Sequence, residues 1–215
     1  MSVEIRRGTD RFVDRTAGRR TQHAFSFGSH YDPEHVSFGP MVCHDEHLLR
    51  DGEGFDTHPH ADQVIVSWVV RGALTHTDSS GSSVTLVPGD VGVLHAGAGV
   101  EHSEVAAAPQ TRFVQVWLTP PSPGGPPSYD VLSAPVEPIP GARFQVANLD
   151  ANQPFTTPVA SKVHVYVARG ALLRSSLAEP LHDGDAFLFT DEPAYDLTAG
   201  VPTELLVWSF DTPGG

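Results

Sequence analysis

The sequence predicts an all-β protein built as two similar barrels in tandem, and three observations predict it. Twenty glycines and nineteen prolines, spread over 215 residues, divide the chain into short segments. Those segments are β-branched or aromatic runs of roughly five to seven residues separated by turn signals, and nothing longer has helical periodicity. The order strand, glycine, strand, turn, Gly-Asp, strand occurs twice.

The first series opens with Val64–Val70 (VIVSWVV), bounded by Gly72. It continues through Ala73–Thr77, a turn at Asp78-Ser79-Ser80-Gly81, and Ser83–Val87. Pro88-Gly89-Asp90 turns the chain into Val91–His95, Gly97-Ala98-Gly99 breaks it before His102–Ala106, and Arg112–Leu118 closes the series. Residues 120–127 are rich in proline and glycine and read as a linker. Ser128–Val131 is expected as a short turn. The second series runs Ala142–Ala147, Lys162–Ala168, Ala171–Ser175, a turn at His182-Asp183-Gly184-Asp185, Ala186–Phe189 and Glu204–Phe210. Val69-Val70-Arg71-Gly72-Ala73-Leu74 recurs as Val167-Ala168-Arg169-Gly170-Ala171-Leu172, and Pro88-Gly89-Asp90 as Asp183-Gly184-Asp185. The expected division is residues 1–119 as a first barrel with a basic N-terminal arm, 120–127 as linker, and 128–215 as a second barrel.

A net charge of −13 excludes a nucleic-acid-binding surface spread over the whole molecule. Charge is uneven, since residues 1–20 hold six arginines against Glu4, Asp10 and Asp14. That stretch is expected as a solvated arm packed on the acidic body, and it is the place to look for a protein partner. A single cysteine, Cys43, excludes an intramolecular disulfide and a multi-thiolate metal site, and it fits a reducing cytoplasm. No run approaches the ~20 apolar residues of a membrane helix. The N-terminus lacks the apolar core of a secretory signal. A cytoplasmic monomer without membrane or nucleic-acid contacts is the expectation.

Histidine is abundant, twelve of 215 residues, so chance alone gives about 0.7 His-x-His pairs and about 0.6 His-x-Glu pairs. Placement makes two of these pairs informative. Strand side chains repeat every two residues, so His58 and His60 share a face, as do His102 and Glu104. Both pairs lie in the first series, and strands ~4.8 Å apart can bring them to one ion. Three imidazoles and a carboxylate suit iron(II), manganese, nickel, cobalt or copper rather than a soft ion. Octahedral coordination would leave two positions open, which is catalytic rather than structural in character.

Three segments, GFDTHPHADQVIVSWVVRGALTHTDSSG, PGDVGVLHAGAGVEHSE and RFVQVWLTP, resemble the pirin family of bicupins in order and spacing. The likeness runs from about Phe25 to Trp208. It implies two cupin barrels with the metal in the N-terminal one, held by His58, His60, His102 and Glu104, and a second barrel without metal. It implies iron(II) first, with nickel, manganese, cobalt, copper or zinc as alternatives. By analogy with quercetin 2,3-dioxygenases it implies a metal-dependent dioxygenase using dioxygen and a flavonol-like or other enolic aromatic substrate, with Glu104 as catalytic base. The alternative it carries is a non-enzymatic, redox-responsive regulatory protein.

One position departs from the family, which usually has a glutamate six residues after the first ligand histidine. Here that residue is Val64. By strand parity Val64 is expected to face the way His58 and His60 do, which replaces an acid near the metal by an apolar group. Asp62 shares that parity and reads either as a substitute base or as a loop cap. Glu101 is expected to point outward.

The remaining candidates have plainer readings. His76, in Thr75-His76-Thr77-Asp78-Ser79, either supports a ligand or packs across strands. His95 either lines the pocket or is a half-buried strand residue. His23, His30, His35, His44 and His47 could cover the pocket mouth but lack ligand spacing and read as surface or packing residues, and His164 and His182 have no partner at ligand spacing. Trp68, Trp117 and Trp208 read as core, and Cys43 as a small buried residue.

Overall fold

The structure, a computed structural model, describes residues 1–211 and is built almost entirely of strands. It divides into two compact units, Phe12–Ala134 and a second formed by Met1–Arg11 together with the chain from Pro135 onward. The strands in order are β1 (Ser2–Arg6), β2 (Phe12–Thr16), β3 (Arg19–His23), β4 (Met41–Leu49), β5 (Gly54–His60) and β6 (Val64–Arg71). They continue as β7 (Leu74–Asp78), β8 (Ser83–Leu86), β9 (Val91–His95), β10 (Val100–Ala106), β11 (Thr111–Leu118) and β12 (Ser128–Leu132).

The Phe12–Ala134 unit has a seven-stranded sheet in the order β12-β9-β6-β11-β4-β3-β2 and a four-stranded sheet in the order β5-β10-β7-β8. All pairings are antiparallel. β6 lies between β9 and β11 and is buried from Val64 to Val70, which explains its unbroken apolar run. β10 instead alternates, with Val100, His102, Glu104 and Ala106 buried and the residues between them less so. Leu49, Val69, Leu74, Leu86 and Phe113 form one part of the core, and Ile65, Leu94 and Val100 another.

In the second unit β1 pairs with Ala186–Thr190, and the sheet continues through Lys162–Arg169, Thr203–Phe210, Ala142–Leu149 and Val136–Ile139. Val163, Val165, Val167, Phe187 and Val207 form its core. The repeat in the sequence is one of geometry as well. Gly72 (φ 84°) and Gly170 (φ 92°) both turn left-handed. A Cβ there would meet Thr111 Oγ1 at 2.5 Å and Thr203 Oγ1 at 2.6 Å respectively. All-β architecture with two barrel-like units is thus as expected. Among the described residues no helix is long and apolar enough to cross a membrane.

The boundaries differ from the sequence reading. Residues 1–20 are not a solvated arm packed on the body but part of its sheets: β1 is the edge strand of the second unit's sheet, and β2 and β3 extend the seven-stranded sheet. Strand polarity outweighs the local arginine count, because ladder hydrogen bonds occupy the backbone whatever the side-chain charge. Ser128–Leu132 is a strand rather than a turn, and it completes the first unit by pairing with β9. The proline- and glycine-rich stretch before it packs on that unit, with Ala98 N donating to Gly125 O and Gly124 N to Asp62 Oδ1.

Candidate metal centre

β5, β10 and β7 build the site side by side. β10 is the middle strand, and His102 stands opposite His58 on one flank and Asp78 on the other, while Glu104 stands opposite His76. β5 is an edge strand, where Pro59 can sit between His58 and His60 without removing an inner ladder bond. The β5–β10 register shifts between His102 and Glu104. This bulge takes Asp56 out of regular pairing, and its carbonyl accepts from His58 Nδ1 at 2.7 Å.

One ligand atom from each of His58, His60 and His102 lies within 4.8 Å of the other two. The ring centroids are 4.5, 4.9 and 5.0 Å apart. Because the Asp56 carbonyl can only accept, His58 donates from Nδ1, which leaves Nε2 as its ligand atom. The Nε2 atoms of His60 and His102 are buried without a hydrogen-bond partner. Burial, and then the neighbouring His58, His60 and His76, pushes the His102 imidazole down to about 3. Burial and His58 lower His60 as well. Neutral imidazoles with unpartnered Nε2 atoms are the donor set that a borderline transition-metal ion takes.

Glu104 belongs to an overlapping group with His76 and His102 at the same spacing, rather than with His58 and His60. It is buried, and Gln115 Nε2 donates to its two oxygens at 2.9 and 2.8 Å, with Ser67 Oγ at 3.3 Å. Burial raises its carboxyl, against the opposing pull of the Gln115 hydrogen bonds. His76 is fully buried and stacks on Tyr129 at 3.7 Å. Its Nε2 lies 2.8 Å from Asp78 Oδ2. Burial of Asp78 would raise its carboxyl, but hydrogen bonds from Ser80, His76 and the Ser82 backbone outweigh it and hold it at about 2.

A cavity of about 560 Å³ reaches this centre, with His58, Glu104, Gln115 and Trp117 among its lining and Phe27 and Phe55 as further aromatic walls. Its volume suits a small organic ligand. His23 and Asp45 also line it, joined Nδ1 to Oδ2 at 2.7 Å, and His23 Nε2 lies 3.2 Å from Asp14. Burial pulls His23 down, but these two carboxylates outweigh it and raise it.

Several sequence expectations change here. Val64 is buried but lines a different crevice, with Asp62, Gln63 and His95. The parity argument fails because Asp62 adopts φ 56° between β5 and β6, which resets which way the chain faces. Asp62 is exposed and caps the loop through Gly124. Trp117 is not simply core: it lines the cavity, stacks edge-on to His60 at 4.8 Å and donates from Nε1 to Gln115 Oε1. His23 and His47 are buried and line the cavity, so of the surface and packing readings the surface one fails for them. Glu101 is exposed and Cys43 buried, as read. Sequence reasoning missed Ser67, Gln115 and Asp78. Asp78 carried a signal in the His-x-Asp spacing with His76, while Ser67 and Gln115 carried none.

The Pirin family profile matches residues 6–118. A Mycobacterium tuberculosis protein provisionally named quercetin 2,3-dioxygenase is 38% identical over 233 residues, covering 97% of this chain and 95% of that protein. Quercetin 2,3-dioxygenase of Escherichia coli is 33% identical over 110 residues, 50% of this chain and 48% of its own. In fold, a bacterial pirin of Escherichia coli, solved in complex with nickel(II), superposes with a TM-score of 0.87 at 22% identity, covering 98% of this chain and 100% of that one. A quercetin 2,3-dioxygenase of Acinetobacter baumannii gives 0.76 at 23% identity, covering 93% and 83%. Profile match and full-length relatedness agree, and the chain belongs to the pirin family.

Proposed function

We propose that this chain is a metal-dependent dioxygenase acting on a flavonol-like or other enolic aromatic compound, with His58, His60, His102 and Glu104 holding the metal. The observation that carries the reading is the trio of imidazoles, with the buried, unpartnered Nε2 atoms of His60 and His102, which meets an aromatic-lined cavity at His58. The ion, iron(II) first and nickel, manganese, cobalt, copper or zinc as alternatives, would act as a Lewis acid on a substrate oxygen and as a template for dioxygen.

The chain's own residues do the rest. Phe27, Phe55 and Trp117 exclude water from a planar ring and orient it. Glu104, raised by burial, holds the proton that a substrate hydroxyl gives up. With Val64 turned to another crevice, no acid stands at the family's usual position, and proton transfer falls to Glu104. Gln115 sets which way the Glu104 oxygens point.

The test starts from untagged protein purified without chelators. Elemental analysis is expected to give about one equivalent of metal per chain in wild type, as a single mononuclear site requires, and none in His102→Ala. Oxygen uptake with quercetin as probe is expected in wild type and lost in the variant. Full metal occupancy with no uptake across a panel of enolic aromatics would replace this reading by the regulatory one. Metal retained at wild-type level in His102→Ala would remove the ligand assignment.

A further inference from the structure

His102 is the ligand candidate whose second nitrogen faces another buried imidazole. Its Nδ1 lies 3.4 Å from His76 Nδ1, and His76 Nε2 lies 2.8 Å from Asp78 Oδ2. All three residues are buried. The carboxylate fixes the first link, and for an imidazole carrying one proton the first link fixes the second. A carboxylate oxygen accepts, so His76 donates from Nε2. A neutral imidazole then has Nδ1 as acceptor, so His102 donates from Nδ1. That leaves His102 Nε2 without a proton, and Nε2 is the atom that lies buried without a partner toward His58 and His60.

We propose that Asp78 and His76 are positioning residues that lock His102 into the tautomer with a free Nε2, so that a buried carboxylate two residues removed in space sets the metal-binding state of the centre. This rests on the reading of His102 as a ligand. Asp78 has a second duty, and its two oxygens divide the work. Oδ1 accepts from the Ser80 backbone N–H at 2.8 Å and from Ser82 N–H at 3.2 Å, which ties the turn after β7, while Oδ2 faces His76. The Tyr129 ring, only 4° from parallel with the His76 ring, keeps that imidazole from rotating out of line. Gly92 leaves the space Tyr129 needs, since a Cβ there would lie 2.3 Å from the tyrosine Oη. His58 reaches the same tautomer by a simpler route, through the Asp56 carbonyl. The centre thus orients two ligands by different partners, as metal-binding histidines generally require.

Asp78→Asn separates the two duties. A carboxamide has one oxygen, and the turn's N–H groups claim it, so its NH₂ faces His76 Nε2. His76 then accepts at Nε2 and donates from Nδ1, His102 accepts at Nδ1, and its proton moves to Nε2. The relay reverses without a change of shape.

Two measurements on the full chain test this. Long-range ¹H–¹⁵N correlation spectra of metal-free protein are expected to show His102 protonated at Nδ1 and His76 at Nε2 in wild type, with both reversed in Asp78→Asn. Calorimetric titration with nickel(II) is expected to show a Kd raised about 10–100-fold in Asp78→Asn. Ser80→Ala weakens only the turn and is expected to keep the wild-type Kd while unfolding at lower urea. Wild-type His102 protonated at Nε2, or an Asp78→Asn Kd equal to wild type, would overturn the proposal. Should wild type take up no nickel(II), the metal reading fails on its own, and the spectra still decide whether the relay sets the tautomer.

Discussion

Gln115 Nε2 lies 2.9 and 2.8 Å from the two carboxylate oxygens of Glu104, so one amide NH₂ holds both ends of a buried acid. Trp117 Nε1 donates to Gln115 Oε1 at 2.9 Å and thereby fixes which end of the carboxamide faces Glu104. Leucine at this position keeps the size and removes the donors, leaving Ser67 at 3.3 Å as the remaining side-chain contact. Gln115→Leu is expected to lower unfolding free energy by about 1–3 kcal/mol and to weaken metal retention as the Glu104 carboxyl rises further. Urea unfolding at pH 7 and metal titration together check this. Undiminished stability would mean that Glu104 finds its hydrogen bonds elsewhere.

Val64→Glu restores the residue that the family pattern leads one to expect, but not its surroundings. Val64 is 2% exposed, pairs with His95 and Leu118, and faces a crevice separate from the aromatic cavity. A carboxyl placed there is desolvated without a partner, so the variant is expected to lose about 2 kcal/mol or more of stability. Its metal affinity is expected to stay at the wild-type value. A rise in nickel(II) affinity or in oxygen uptake would show that residue 64 reaches the centre after all.

Acid should weaken the protein from above the carboxylate range, because several buried imidazoles must charge, His47 and His164 among them away from the metal centre. Burial lowers His47 to about 4 and His164 to about 3, against an ordinary value of 6.5. A depressed folded value means that the unfolded chain binds more protons below 6.5, so stability is complete above that pH and declines as pH falls toward 4 and 3. His23, raised by Asp45 and Asp14 against its own burial, acts oppositely: its contribution is present at low pH and is lost as pH rises through its folded value. The urea midpoint is expected to fall between pH 6.5 and 4.5. His164→Leu is expected to flatten the decline, each imidazole accounting for up to about 1.4 kcal/mol per pH unit. An unchanged slope in that variant would mean that His164 is not the titrating group.

What the sequence made legible follows from where regular geometry holds. His58 and His60 lie within one strand, as do His102 and Glu104, and period-two alternation is reliable inside a strand. Val64 was misread because the argument crossed Asp62, whose left-handed conformation ends one strand's parity before the next begins. The contribution of Asp78 depends on β10 pairing with β7, and that of Gln115 on β11 approaching the inner face of β10. Neither long-range relation has a local signature. β1 was misassigned for the same reason, since its partner lies 180 or more residues away at Ala186–Thr190.

The internal repeat was legible down to its hydrogen bonds, and it yields a paired prediction. Thr111 Oγ1 accepts from Ala73 N at 3.2 Å and turns its one proton toward Ala108 O at 2.8 Å and Ala73 O at 3.0 Å, and Thr203 Oγ1 accepts from Ala171 N at 3.2 Å and faces Val201 O at 2.7 Å and Ala171 O at 3.1 Å. Each hydroxyl ties the residue after a left-handed glycine to a distant strand, and each threonine is buried. Valine keeps the shape but leaves the alanine N–H unpaired in a dry corner. Thr111→Val and Thr203→Val are each expected to lose about 1–3 kcal/mol. Since the two sites lie in different units and share no partner, the double variant is expected to lose the sum to within about 0.5 kcal/mol. Chemical unfolding of both singles and the double closes the cycle. A large interaction energy would show that the two corners are coupled, whereas additivity would identify the glycine-threonine corner as a device that each half of the chain uses independently to turn from one strand to the next.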